Sequence, residues 1–214
     1  NERTIKEISS SLPVEGSSEV VDYGNYSLKY TIKNSVELAE CEVTCVEKPN
    51  VPTAIVIPSK VTIKGAEFNV TVVENEAFMD CTNLTSIEIP SGVTYIGSSA
   101  FYSCSGLTNV AFVENSQLTY IGDAVFGYCS SLASIEIPSG VTFIGYGAFY
   151  GCSNLASVVF GENSQLTYIG DSAFRGCSSL SSIEIPSGVT SIGSHTFGGC
   201  SNLASVVFGE NSQL

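Results

Sequence analysis

Apolar residues recur along this chain at fixed positions around six cysteines. A phenylalanine lies three residues before each cysteine, and a leucine lies three residues after it. Two further apolar residues follow at six and eight positions after the cysteine, a spacing typical of a β-strand. The cysteines are Cys81, Cys104, Cys129, Cys152, Cys177 and Cys200. The pattern therefore predicts one short strand in every repeat.

The repeats alternate between two lengths. Successive cysteines are separated by 23, 25, 23, 25 and 23 residues, and the segment 86–94 recurs unchanged at 134–142 and at 182–190. A fixed period of this size is typical of a solenoid, a stack of similar coils. One strand per coil would then stack on its neighbours at ~4.8 Å, so that each side chain packs on its own copies.

The remaining residues of the repeat, including its glycines and prolines, predict the turns that complete each coil. The segment 93–104 keeps no clean period, which favours an extended turn followed by a helical or 3₁₀ turn on the opposite side. Regular spacing places Gly97, Gly122, Gly145, Gly170 and Gly193 in one column, where they are expected to supply a bend or a positive φ. Proline ends the strand in the short repeats, at Pro90, Pro138 and Pro186, because its missing N–H stops further pairing.

The N-terminal part of the chain differs from the repeats. Residues 1–18 are predicted to be a flexible arm, because they mix Ser, Glu and Lys with Pro and Gly. Residues 19–50 are predicted to form a capping β-hairpin, with strands at 26–32 and 36–46 and a turn at 33–35. Residues 51–214 carry the repeats. The last sixteen residues copy 151–166 and stop within a repeat, so we expect a truncated array or self-association through a bare C-terminal end.

Charge narrows the class of partner. The net charge is −13, and residues 65–214 carry twelve acids against one base, Arg175. Nucleic acids and anionic lipids are therefore not expected as partners. No apolar run approaches the ~18–20 residues of a membrane span, so no membrane insertion is expected either.

The reactive residues do not form a catalytic or metal-binding pattern. The six cysteines occupy one column of the solenoid, which favours a structural role for small buried thiols. Metal ligation would need paired cysteines, so neither metal nor cofactor is expected. Cys41 and Cys45 would lie ~13 Å apart on one strand, too far for a disulfide, so we expect both reduced. His195 has no nucleophile pattern beside it. The chain is therefore predicted not to be an enzyme.

Two sets of outward residues are candidate binding surfaces. Glutamates lie between the two apolar strand residues in alternate repeats and would form a stripe on a concave sheet, with consecutive copies ~10 Å apart. The stripe comprises Glu88, Glu136 and Glu184, interleaved with Ala111, Val159 and Val207. The stripe either binds a partner or is simply solvated.

An aromatic column is the second candidate surface. It comprises Tyr95, Tyr120, Phe143 and Tyr168, and Ser191 ends it. Exposed aromatic residues on a rigid support favour recognition, although the rings could instead stack only to stabilise the coils. Tyr102, Tyr128 and Tyr150 add to a further surface near the Phe–Cys turn.

The repeated string Leu-x-x-Ile-x-Ile-Pro-x-x-Val-x-x-Ile-Gly-x-x-Ala-Phe-x-x-Cys-x-x-Leu resembles the leucine-rich repeats of BspA-like, or Treponema pallidum-type, surface proteins. The resemblance covers about 52–214. It implies a leucine-rich repeat solenoid, mostly β, in a secreted or surface-anchored bacterial protein. It also implies adhesion to host extracellular matrix proteins or neighbouring cells, and no catalytic residue.

Three functions remain open from the sequence. The first is protein binding by a surface-displayed solenoid. The second is a structural spacer that holds another module away from the cell, which near-identical repeats favour. The third is carbohydrate binding, which depends only on the aromatic column.

Overall fold

The computed structural model describes residues 14–34, 40–46 and 51–214, and every regular element within these ranges is a β-strand. The predicted arm, 1–18, therefore lies mostly outside the described residues. Within the described ranges, no helical segment has the length and apolarity needed to cross a bilayer.

Three antiparallel strands precede the repeats. They are β1 (Ser18–Asp22), β2 (Ser27–Asn34) and β3 (Glu40–Cys45). β2 pairs with β3 as predicted, but β2 continues through Lys33 and Asn34, which were expected in the turn. β1 is an additional strand that the sequence did not predict. Alternate residues of β2, Leu28, Tyr30 and Ile32, are buried because successive side chains of a strand point to opposite faces. A capping role for these strands stays a prediction.

Three further strands join this region to the repeats: β4 (Ala54–Val56), β5 (Lys60–Ile63) and β6 (Ala66–Val73). The β5–β6 pair is antiparallel, and its turn places Lys64 and Gly65 at φ of 49° and 84°. β6 then pairs in parallel with β3 on one side and with the first repeat on the other. Cys41 and Cys45 both belong to β3, and the side chain of Cys45 is buried. The side chain of Cys41 lies outside the described residues.

Each complete repeat contributes two strands, not one. Four-residue strands coincide with the predicted apolar pairs: β7 (Ser86–Ile89), β9 (Asn109–Phe112), β11 (Ser134–Ile137), β13 (Ser157–Phe160), β15 (Ser182–Ile185) and β17 (Ser205–Phe208). Two-residue strands lie where a turn was expected: β8 (Tyr95–Ile96), β10 (Tyr120–Ile121), β12 (Phe143–Ile144), β14 (Tyr168–Ile169) and β16 (Ser191–Ile192).

The two-residue strands form the continuous sheet of the molecule. They pair in parallel in the order β8-β10-β12-β14-β16, and β8 also pairs in parallel with the longer β6. The residue before each two-residue strand is a threonine. Its hydroxyl donates to the backbone carbonyl of the equivalent threonine one coil earlier, at 3.1–3.3 Å. For the first of these threonines, the acceptor is the Thr71 carbonyl. The threonines are Thr94, Thr119, Thr142, Thr167 and Thr190. Side-chain and backbone bonds thus join every coil on this side to the next.

The four-residue strands form an interrupted sheet. They pair as β4-β7-β9, β11-β13 and β15-β17, with breaks after β9 and β13. The predicted side-by-side stacking is therefore wrong at these two points. Gly161 and Gly209, directly after β13 and β17, donate their N–H to Ile137 and Ile185 of the preceding strand. Proline holds the same position after β11 and β15 and has no N–H to donate.

Loop length is the second feature of each break. The strand before the break, β9 or β13, continues into the longer Glu-Asn-Ser-Gln loop. Pro90 follows β7 without a break, and both the backbone N–H and the hydroxyl of Thr85 bond to the Thr53 carbonyl there.

The core runs along the stack between the two sheets. Its largest side chains are phenylalanines whose parallel rings stack with centroids 5.2–5.9 Å apart. The column comprises Phe78, Phe101, Phe126, Phe149, Phe174 and Phe197. Inward leucine, isoleucine and valine residues surround it and form one buried cluster. Each coil therefore buries its apolar face against its neighbours rather than within itself.

The segment between the two sheets contains single turns, where an extended turn and then a helical or 3₁₀ turn were predicted. Bonds such as Ala100 N–H to Gly97 O and Cys104 N–H to Phe101 O close successive turns. Ser99 and Ser103 adopt left-handed φ of 57° and 58°, which stops the turns from continuing as a helix. Positive φ therefore falls on these positions and not on the predicted glycine column.

The glycine column meets a different requirement. A Cβ placed on Gly170 would lie 2.6 Å from the carbonyl carbon of Gly145 in the preceding coil. A Cβ on Gly145 would lie equally close to the carbonyl carbon of Gly122. These glycines allow the backbones of adjacent coils to approach one another, and none of them has the expected positive φ.

Candidate binding surfaces

The predicted aromatic column lies on the continuous sheet. Its strand register places Tyr95, Tyr120, Phe143 and Tyr168 directly opposite one another. Consecutive rings stack with centroids 4.9, 4.7 and 4.9 Å apart and interplanar angles of 12° or less. All four side chains are half-buried. The parallel coil spacing therefore forces the rings into a face-to-face ladder that presents its edges to solvent.

Stacking limits what the column can bind. The face of each inner ring is covered by the next ring, so the tyrosine hydroxyls and ring edges are the accessible groups. Burial, with the charge of Tyr95 and Asp123 as further causes, raises the pKa of Tyr120, so its hydroxyl stays a hydrogen-bond donor at neutral pH. Ser191 pairs with Tyr168 and carries no ring, so the column ends there.

The predicted acidic stripe lies on the interrupted sheet. Glu88 pairs with Ala111, Glu136 with Val159 and Glu184 with Val207. The three glutamates are exposed, and Val159 is 52% exposed. The breaks after β9 and β13 divide the stripe into three separate groups, so it is not the single continuous stripe that was predicted. Binding by either set of residues stays a prediction.

Two clefts open where the interrupted sheet breaks. One lies between β9 and β11, with a volume of about 600 Å³, and the other between β13 and β15, with about 460 Å³. Equivalent residues of the 48-residue period line both clefts, including Glu136 in the first and Glu184 in the second. The sequence predicted the proline that contributes to each break but not the cleft beside it.

A second aromatic ladder lies on the turn side of the coil. The rings of Tyr102, Tyr128 and Tyr150 meet edge to face with centroids 5.4 and 5.3 Å apart. The guanidinium of Arg175 lies 5.8 Å above the centre of the Tyr150 ring. Tyr128 is 44% exposed, and a hydrogen bond with Tyr150 is the main cause that raises its pKa. These tyrosines therefore form the further surface expected from the sequence, with Arg175 as its cationic end.

The cysteine column is a structural element. Each thiol after Cys81 donates to the carbonyl of the phenylalanine one coil earlier, as in Cys152 to Phe126 at 3.0 Å and Cys177 to Phe149 at 3.2 Å. Burial raises the pKa of Cys152 to about 12, which keeps the thiol protonated and unreactive. Within the described residues, no group of three or more His, Cys, Asp or Glu is placed to hold a metal ion.

A carboxyl pair at the start of the repeats was not predicted. Lys33 Nζ lies 2.7 Å from Glu42 Oε2, and Glu42 is almost fully buried. A hydrogen bond to Glu42, then burial and the Glu42 charge, raise the pKa of Glu74 to about 7. These residues share a cleft of about 450 Å³ with Tyr95, the first ring of the aromatic column. No sequence pattern joins Glu42, in β3, to Glu74, which directly follows β6.

His195 lies in the column of left-handed turn residues, at φ 56°, and is exposed. Ser172 and Ser99 hold the same position one and four coils earlier. The position is therefore set by backbone conformation, which is shared by several coils.

A family model described as "BspA type leucine rich repeat region" matches residues 53–166 and 119–213. No curated protein matches the chain. Among solved structures, the pneumococcal vaccine antigen PcpA is similar, with a TM-score of 0.76 and 28% identity over 93% of this chain and 51% of that one.

Two further structures share the fold. A leucine-rich cell surface protein of Faecalibacterium prausnitzii aligns with a TM-score of 0.63 and 28% identity over 92% of this chain and 56% of its own. The T. pallidum leucine-rich repeat protein aligns with a TM-score of 0.57 and 26% identity, over 88% and 71% respectively. The chain thus spans about half the length of the first two structures.

Proposed function

This chain belongs to the BspA type leucine-rich repeat family, and on that premise we propose that it is a non-enzymatic, surface-displayed or secreted bacterial protein that binds another protein. The proposed partner is a host extracellular matrix protein or a component of a neighbouring cell. A similar solved structure is described as a leucine-rich cell surface protein, which supports the location.

The observation that carries the proposal is the stacked aromatic column on the continuous sheet. Its rings are fixed by their neighbours and by the threonine bonds between coils, so binding costs little side-chain entropy. Tyrosine is enriched at protein interfaces because it combines a large apolar surface with a polar hydroxyl. Tyr95, Tyr120 and Tyr168 present such hydroxyl edges along one line.

The orientation of the rings in the aromatic column favours a protein as the binding partner over a carbohydrate. A sugar stacks on an open aromatic face, but the faces of Tyr120 and Phe143 are covered by rings at 4.7–4.9 Å. Exposed edges and hydroxyls instead suit backbone and side-chain groups of a protein surface.

The test is binding of the purified chain to an immobilised panel of matrix proteins and glycans. Replacing Tyr95, Tyr120 and Tyr168 by serine should abolish saturable binding to one matrix protein, because the ladder of ring edges is lost. Replacing the same residues by phenylalanine keeps the stacking and removes only the hydroxyls, so binding should weaken by about tenfold. Unfolding curves of each variant establish that it is folded. Retention of full binding in the serine variant would contradict this surface assignment.

The spacer function is supported by a different observation. The threonine, cysteine and phenylalanine columns bond or stack identically from coil to coil, which makes a stiff rod without a distinctive repeat. Absence of saturable binding to any member of the panel would favour this function over protein recognition.

A further inference from the structure

The two clefts of the interrupted sheet have the same construction. In the cleft between β13 and β15, the floor includes Phe160 and one wall includes Pro186. The carboxylates of Glu162 and Glu184 line the same cleft. The cleft between β9 and β11 repeats this arrangement 48 residues earlier, with Phe112, Pro138, Glu114 and Glu136.

Each cleft also contains a backbone acceptor without its usual donor. At the equivalent position of the paired strands, Gly161 and Gly209 donate to the preceding carbonyl. Pro138 and Pro186 cannot donate to the carbonyls of Phe112 and Phe160, since proline has no N–H. A ligand that enters the cleft with several N–H donors would therefore meet both a carbonyl and carboxylates.

Among the described residues, no cation pairs with these carboxylates. Arg175 is the single lysine or arginine after Lys64, and it lies over the Tyr150 ring. Within the described ranges, the salt bridges join Lys33 to Glu42 and Lys60 to Glu67, and none involves a glutamate of the clefts. Adjacent carboxylates without a counter-charge attract a cationic group.

We propose that each cleft binds an arginine side chain of an extended partner polypeptide. Its aliphatic stem lies against phenylalanine and proline, and its planar guanidinium donates to the two carboxylates and the carbonyl. The clefts are two coils apart, ~10 Å at the coil spacing of the continuous sheet. This equals one turn of a polyproline II chain, three residues at ~3.1 Å each, in which side chains at i and i+3 point the same way. The partner is thus a segment of the type Arg-x-x-Arg. This inference depends on the proposed protein-binding role, but it does not depend on the aromatic column.

The test uses the whole chain and a fluorescent peptide, Ser-Arg-Thr-Ser-Arg-Thr-Ser, with affinity measured by anisotropy at low salt. Replacing both Glu136 and Glu184 by glutamine should weaken binding by about tenfold or more, because each cleft loses a carboxylate. The matched control replaces Glu88 by glutamine. Glu88 has the same column position, but its strand is paired on both sides, so its loss should change affinity by less than about twofold.

Peptide spacing provides a second readout. A peptide of the same composition with adjacent arginines cannot occupy both clefts and should bind about tenfold more weakly. Equal weakening by the Glu88 and cleft variants, or equal binding of the two peptides, would show attraction by net charge alone and overturn the proposal. Absence of peptide binding would also overturn it. A chain that binds the peptide but no matrix protein would instead contradict the proposed function, so the two failures are distinguishable.

Discussion

At the scale of single residues, close stacking of coils decides which side chains are allowed. Gly97 and Gly92 lie in the same coil, and neither has a positive φ. A Cβ on Gly97 would lie 2.5 Å from the Asn75 backbone nitrogen, whereas on Gly92 its nearest neighbour would be the Val70 oxygen at 3.5 Å. Two glycines five positions apart therefore have different structural requirements.

Replacing Gly97 by alanine should destabilise the protein by about 2–4 kcal/mol, because neighbouring backbone must move apart. Replacing Gly92 by alanine adds an ordinary van der Waals contact and should leave the free energy of unfolding within about 0.5 kcal/mol. Urea unfolding of the two variants measures both values. Equal effects of the two substitutions would contradict a role for Gly97 in close coil approach.

At the scale of elements, backbone donors decide how far a sheet continues. The two-residue strands pair without interruption, and each following glycine donates across to the previous coil, as Gly145 does to Ile121. The four-residue strands lose this donor at Pro138 and Pro186, next to the two breaks. Proline chemistry, together with the longer loop, therefore divides one of the two faces into separate groups of strands.

Replacing Pro186 by alanine should restore the missing donor. We expect the backbone N–H gained at position 186 to bond to the Phe160 carbonyl and to exchange slowly with solvent, as the equivalent Gly161 and Gly209 amides should. Hydrogen exchange of the variant, followed by NMR, measures these three amides together. Rapid exchange at position 186 beside slow exchange at 161 would mean that the loop, and not the proline, sets the break.

At the scale of the whole molecule, the N-terminal strands join the repeats through β3 and β6. The Glu42–Glu74 carboxyl pair and Lys33 lie together at this junction. The pKa of Glu74 is raised to about 7, mainly by its hydrogen bond to Glu42, from an ordinary value of 4.5. Between these two pH values the folded protein holds more protons than the unfolded chain, so stability falls as pH rises.

Replacing Glu74 by glutamine removes this pH dependence, since the amide resembles the protonated acid. The variant should match the parent near pH 4.5 and exceed its stability by about 1 kcal/mol at pH 7.5, after allowance for partial solvation. Urea unfolding at both pH values measures the difference. Glu88→Gln, which removes a charge from the other sheet, is the control. A variant that is less stable than its parent at pH 7.5 would contradict the raised pKa.

Much of the coil could be predicted because each residue packs on its own copy. The 23- and 25-residue spacing places Phe149 between Phe126 and Phe174 and Cys152 beside Phe126, as the structure has them. The aromatic column was predicted for the same reason, since Tyr120 repeats Tyr95. The two-residue strands were missed, because a two-residue strand is too short to show a period.

The sequence alone determined the solenoid, the family resemblance and the identity of each column, because a repeat imposes the same neighbours on every coil. Only the tertiary structure decided which sheet is continuous, where the clefts open and which carboxyls lie together. Those features depend on groups in different coils, such as the missing N–H of Pro186 beside Phe160 and the neighbouring carboxyls of Glu42 and Glu74. The residues of each pair are distant in sequence, so only the folded chain brings them together.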